Sequence, residues 1–222
     1  MVFSSAIFLF AFLPLTFIGS LLIRQRWAQN AFLTLASLIF YAFGEPVYVF
    51  LMIASAGVNY GFGRGIAAVR GKRMKRLLLV FAVICDLAVL GVFKYAGFAV
   101  TNVNALFGIA LPVPAIRLPV GISFFTFQAM SYVIDVYRGI VPAEKSYVNL
   151  GTYLTMFPQL IAGPIVHYTE VSSCLKRRTV TARDFESGVR ILVIGLGSKV
   201  IIADRVGMLW NNVQTIGFNS IS

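Results

Sequence analysis

The chain has 222 residues, of which 59% are hydrophobic and only 12% charged. Soluble domains carry about 25% charged residues, so this composition excludes an ordinary soluble domain. The net charge of +11 would suit nucleic acid, but the basic residues stand in short runs between apolar stretches, the pattern of cytoplasmic membrane loops, which argues against a nucleic-acid partner.

Val2 to Ile23 holds no charged residue and is long enough to cross a hydrocarbon core that needs ~20 helical residues. A signal peptide would carry its positive charge in front; here Arg24 and Arg26 follow the stretch, which favours a retained helix. Trp27 to Gly63 contains one charged residue, Glu45, next to Pro46, and suits two short spans with Pro46 in the first turn of the second. Gly57, Gly61 and Gly65 recur every fourth residue, predicting a small-residue ridge for close helix packing, with Asn59 able to hydrogen-bond across it.

Arg64 to Arg76 carries six basic residues and no acid. Leu77 to Phe98 reads as a fourth span with Asp86 at its middle and Lys94 near its end. A buried Asp86 either pairs with a basic residue on another helix or stays protonated, and the sequence leaves both open. Residues 99–116, with Pro112 and Pro114, read as a loop or surface helix.

The stretch from Arg117 to Gly139 is the fifth span. In it Gln128, Ser131, Asp135 and Arg138 follow one another at intervals of three, four and three, which sets all four on one helix face. A carboxylate facing lipid costs at least ~2.5 kcal/mol, so the face is expected to look into protein or a watery cavity and to line a site. Asp135 and Arg138 are at ion-pair spacing; the pair either borders a substrate path or only orders the end of the helix. The nearby aromatics Phe124, Phe125 and Phe127 read as core or lipid contacts.

Tyr153 to Val166 is short and broken by Pro158, Gly163 and Pro164, which predicts a re-entrant or interfacial segment. His167, the single histidine, is a weak candidate general base and otherwise an interfacial imidazole. Lys176 to Glu186 reads as an amphipathic cytoplasmic stretch, and Gly188 to Leu209 as a possible sixth span interrupted by Lys199, Asp204 and Arg205. An amino terminus outside puts 15 of the 19 basic residues on the inner side, as the positive-inside rule requires. The fold class expected is therefore all-α: one multi-pass transmembrane helical bundle over residues 1–222 with a re-entrant or interfacial segment.

Other motifs fail on context. Gly195-Leu-Gly197-Ser198-Lys199 lacks phosphate-loop spacing. No histidine and cysteine cluster has metal-ligand spacing, Cys85 and Cys174 make no disulfide framework, and there is no serine nucleophile elbow.

Three motifs in order, Phe93-Lys94-Tyr95, the stretch Arg117–Gly139 and Phe157-Pro-Gln-Leu-Ile-Ala-Gly-Pro164, resemble membrane-bound O-acyltransferases of the alginate O-acetyltransferase type. The resemblance implies a bacterial inner-membrane enzyme with no bound cofactor. It would take an acyl group from a cytoplasmic donor such as acetyl-CoA and pass it towards an exported polysaccharide, with periplasmic acetylation proteins as partners. It also implies that the family's essential histidine lies beyond residue 222, so that this reads as an amino-terminal part, inactive alone, with its catalytic residues unknown. A proton-coupled transporter built on Asp86, Asp135 and Lys94 and a non-catalytic membrane fragment are the alternatives.

Overall fold

The computed structural model describes residues 3–160 and 165–216. Among them every regular element is helical: α1 (Leu13–Leu22), α2 (Arg26–Ala42), α3 (Tyr48–Ala68), α4 (Lys72–Phe107), α5 (Ile122–Arg138), α6 (Tyr147–Thr155), α7 (Tyr168–Lys176), α8 (Ala182–Gly197) and α9 (Asp204–Ile216). Two π-helical stretches, Phe8–Phe12 and Ser198–Ala203, precede α1 and α9. Contacts group the chain into two compact units: Pro14–Arg177, and Val2–Leu13 with Arg178–Ser222.

In the first unit α5 is packed against α3 and α4, α3 against α4, and α2 against α6. The core is apolar on these facing sides, with Ala56, Ile66, Ala82, Ala129, Tyr132 and Val133 almost solvent-free. The tight approach of α3 to α5 occurs at Gly63, where an added Cβ would come within 2.9 Å of the Tyr132 ring. The expected ridge is displaced: Gly61 has open space around it, and Gly57 and Gly65 meet only ordinary contacts. Helices adapt their packing to the large side chain opposite, here Tyr132, so a glycine repeat alone does not fix which glycine is the contact.

The helix expected to end at Phe98 runs on to Phe107, where Gly108 closes it in a left-handed turn, φ +65°. Nothing in residues 99–107 breaks a helix, and the prolines that suggested a loop, Pro112 and Pro114, come later. The 36 residues of α4 make a rod of about 54 Å. Among the described residues it is the one helix both long and apolar enough to cross a membrane; Phe8–Leu22 is apolar but shorter.

In the second unit Thr181 and Asp184 form a capping box that starts α8. Where the sequence puts Lys199 and Asp204 into an apolar run, the helix widens into its π stretch. The Lys199 ammonium is bonded there to the Asp204 carboxylate at 3.1 Å and to Ser4 Oγ at 3.1 Å.

Candidate functional site

The polar face of α5 divides. Gln128 and Asp135 are buried and Ser131 is half-buried, whereas Arg138 is exposed. Gln128 Nε2 donates to the Tyr153 carbonyl at 3.0 Å, which satisfies the backbone near the end of α6. Ser131 Oγ lies 3.2 Å from His167 Nδ1, and Asp135 Oδ2 lies 3.7 Å from the same nitrogen. The partner of Asp135 is thus His167, the N-cap residue of α7, and not Arg138. Three residues make only five-sixths of a helical turn, and the glycine C-cap at Gly139 leaves Arg138 on the solvent side of the helix end.

Ser131, Asp135 and His167 do not form a nucleophilic triad. In that arrangement base and orienter occupy different ring nitrogens, whereas here serine and carboxylate share Nδ1. What the geometry can do is orient: a carboxylate beside Nδ1 favours a proton there. The neutral ring then offers Nε2 as an acceptor, and the side chain is 56% exposed.

Behind this cluster stands a carboxylate that the sequence reading did not single out. Glu144 is buried in the loop between α5 and α6. Its Oε1 accepts from the backbone N–H groups of Lys145 (2.8 Å) and Ser146 (3.0 Å) and from Asn149 Nδ2 (3.3 Å). Its Oε2 accepts a short hydrogen bond from the Tyr168 hydroxyl and faces the Lys176 ammonium at 3.9 Å. Burial by itself would push the Glu144 carboxyl up. The bonds from Tyr168, Ser146 and Lys145, with Lys176 beside them, outweigh it and hold the group below the usual carboxylate range. Tyr132 and Tyr153 pack edge-on against the Tyr168 ring at 5.2 Å each. Asn30 of α2 closes the network through Asn149 Oδ1 (2.9 Å) and the Leu175 carbonyl (3.0 Å). These partners come from four helices far apart in sequence, so no local periodicity signals them; the one local trace is Ser146 capping α6 through the Asn149 N–H.

Of the resemblance-bearing motifs, Phe93 packs edge-on against Tyr48 at 5.6 Å and Lys94 is exposed. Phe157 packs against Phe40 at 5.6 Å with the rings tilted by 44°, and its N–H donates to Ser37 Oγ. Leu160 is buried, with its carbonyl closing on Gly121. The rest of the motif, residues 161–164, including Gly163 and Pro164, lies outside the described residues; of the expected re-entrant segment Tyr153 to Val166, the start is the last turn of α6 and the part around Gly163 and Pro164 is not described.

The chain is similar to the probable alginate O-acetylase of Pseudomonas syringae pv. tomato, at 40% identity over 215 residues, and to that of Azotobacter vinelandii, at 41% over 212 residues. It is also 34% identical over 237 residues to a peptidoglycan O-acetyltransferase of Helicobacter pylori. The three matches cover 92–94% of this chain. They cover 41%, 42% and 45% of the respective relatives, so the chain spans about two fifths of their length. The resemblance carried by the three motifs is thereby shown. No family model matches the chain, and no solved structure does.

Proposed function

We propose that this chain is part of a membrane O-acyltransferase that acetylates an exported glycan. The observation that carries the reading is its match, at about 40% identity along 94% of its length, to alginate O-acetylases. In the reaction the acyl carbon exchanges a thioester sulfur for a hydroxyl oxygen, and the hydroxyl proton ends on the thiolate. The donor is a cytoplasmic acyl thioester such as acetyl-CoA and the acceptor a sugar hydroxyl, with periplasmic acetylation proteins as partners on the acceptor side. The chain lies in a bacterial inner membrane as a multi-pass bundle, amino terminus outside, which the apolar α4 and the inward-leaning loop charge support. Gln128, Ser131 and Asp135 border the substrate path, and His167, oriented by Asp135, adds a polar contact at its end. Arg138 belongs to the loop surface.

The test is complementation. The protein that carries this chain is expressed in an alginate producer lacking its O-acetylase, and ester-linked acetate on the exported polymer and on peptidoglycan is measured. Acetate returns on one of the two. Asp135→Leu lowers it on the order of 10²-fold, the cost of a misplaced reacting geometry, whereas Ile134→Leu, on a neighbouring face, leaves it unchanged. No acetate on either polymer, with the protein present in the membrane, refutes the reading.

A further inference from the structure

Asn59 and Asp86 face each other from α3 and α4 and both are buried. The Asn59 amide nitrogen donates to the Ser55 carbonyl at 3.0 Å and to Asp86 Oδ1 at 2.9 Å. These two contacts fix the amide orientation, because turning it over would set oxygen against oxygen at both. Both N–H groups are then used. Two atoms remain buried and, among the described residues, without a hydrogen-bond partner: Asn59 Oδ1 and Asp86 Oδ2.

If Asp86 is ionised, both leftovers are acceptors and neither has a donor. An unpaired carboxylate inside an apolar helix pair is the costliest arrangement available. The charged residues of the elements packed around it do not relieve it. These are Arg64 of α3, Lys94 of α4, and Asp135 and Arg138 of α5, and among the described residues none is ion-paired with Asp86. The basic cluster at the start of α4 ends at Arg76, ten residues away, about 15 Å along the helix. A resident hard cation would want about six oxygens, and the two leftovers fall far short. A proton on Asp86 Oδ2 would turn one of the two leftover acceptors into a donor.

We infer that Asp86 carries its proton and donates it from Oδ2 to Asn59 Oδ1, so that α3 and α4 are clamped by a reciprocal, uncharged acid–amide pair. The pair has one N–H···O and one O–H···O bond, as in a carboxylic acid bound to a carboxamide. It explains how an acid sits at the middle of α4, the helix of membrane length among the described residues, with no ion pair among them. It also assigns Asp86 a holding role and not that of a proton carrier, and this assignment is independent of the acyl chemistry proposed above.

The experiment uses the protein that carries this chain, reconstituted in lipid at neutral pH. The infrared difference between wild type and Asp86→Asn isolates the one carboxyl. It is expected to show a protonated-acid C=O band that shifts in heavy water. Asp86→Asn should keep folded yield within about twofold of wild type, because its amide nitrogen donates where the acid O–H did and its oxygen still accepts from Asn59. Asp86→Leu leaves one Asn59 N–H and its Oδ1 unanswered and should lower the yield by roughly tenfold or more. A carboxylate band in place of the acid band overturns the inference. So does an Asp86→Asn variant that assembles no better than Asp86→Leu.

Discussion

Gly121 shows how much one residue can hold. It starts α5 with φ +77°, and a Cβ there would lie 2.4 Å from the Leu160 carbonyl oxygen. Gly139 ends the same helix at φ +74° but has nothing within 4 Å, and Gly61 sits in α3 with ordinary helical torsions and equally open space. Three alanine substitutions should therefore separate by cause. Gly61→Ala removes only a poor helix former and should stabilise by up to ~1 kcal/mol. Gly139→Ala meets the left-handed penalty alone and should cost ~1–2 kcal/mol. Gly121→Ala meets the same penalty plus a collision with backbone, which cannot swing aside, and should cost more than ~3 kcal/mol. Thermal unfolding in detergent reads all three, and a Gly121→Ala variant no worse than Gly139→Ala would show that the turn around Leu160 yields freely.

At the scale of elements, the Glu144 carboxylate joins α6 and α7 through Asn149, Tyr168 and Lys176, α2 follows through the Asn30–Asn149 bond, and the Glu144 N–H donates to the Tyr132 hydroxyl of α5 at 2.9 Å. Because its carboxyl is held below the ordinary range, the ionised form binds its surroundings more strongly in the fold than in the unfolded chain. That stability is fully present above the unfolded glutamate value of ~4.3. It drains away as pH falls from there through the lower folded value. Glu144→Gln should cost ~1.5–3 kcal/mol at neutral pH, where bonds to a charged acceptor are lost, and its unfolding temperature should fall less than wild type's between pH 5 and pH 3. Parallel curves would remove Glu144 as the source. The sequence revealed the helices around this hub, because α2, α3 and α5 announce themselves by apolar length and by polar residues at helical spacing. It also revealed Gln128 and Asp135 as inward residues, since burial of a polar stripe follows from lipid cost. It did not reveal Arg138 as a solvent residue, which depends on where Gly139 stops the helix. Nor could it pair His167 with Asp135 or Glu144 with Tyr168, contacts across 32 and 24 residues that no local pattern encodes.

For the whole molecule the deciding question is how α4 lies in a bilayer. Its 36 residues extend about 54 Å against a hydrocarbon core of ~30 Å, so both ends must project if it crosses. The two ends differ in chemistry. Lys72, Arg73, Lys75 and Arg76 crowd the first turns, whereas the last three turns carry Thr101, Asn102 and Asn104 and no charge. Polybasic segments are retained on the cytoplasmic side and attracted to anionic lipid there. The neutral polar end is free to translocate. Between them, Leu77 to Phe98 holds Asp86, made neutral by the pair with Asn59, and Lys94, exposed about one turn from the apolar stretch's end, from which a long side chain reaches the interface. Fusions of a compartment-sensitive reporter after Lys72 and after Ala105, sites about 50 Å apart along the rod, should therefore report opposite sides, Lys72 inside and Ala105 outside. The reverse pair of signals would invert every loop and place the Asp135–His167 cluster on the acceptor side of the membrane. The same compartment for both would mean that α4 lies along the surface, and the multi-pass reading would fall with it.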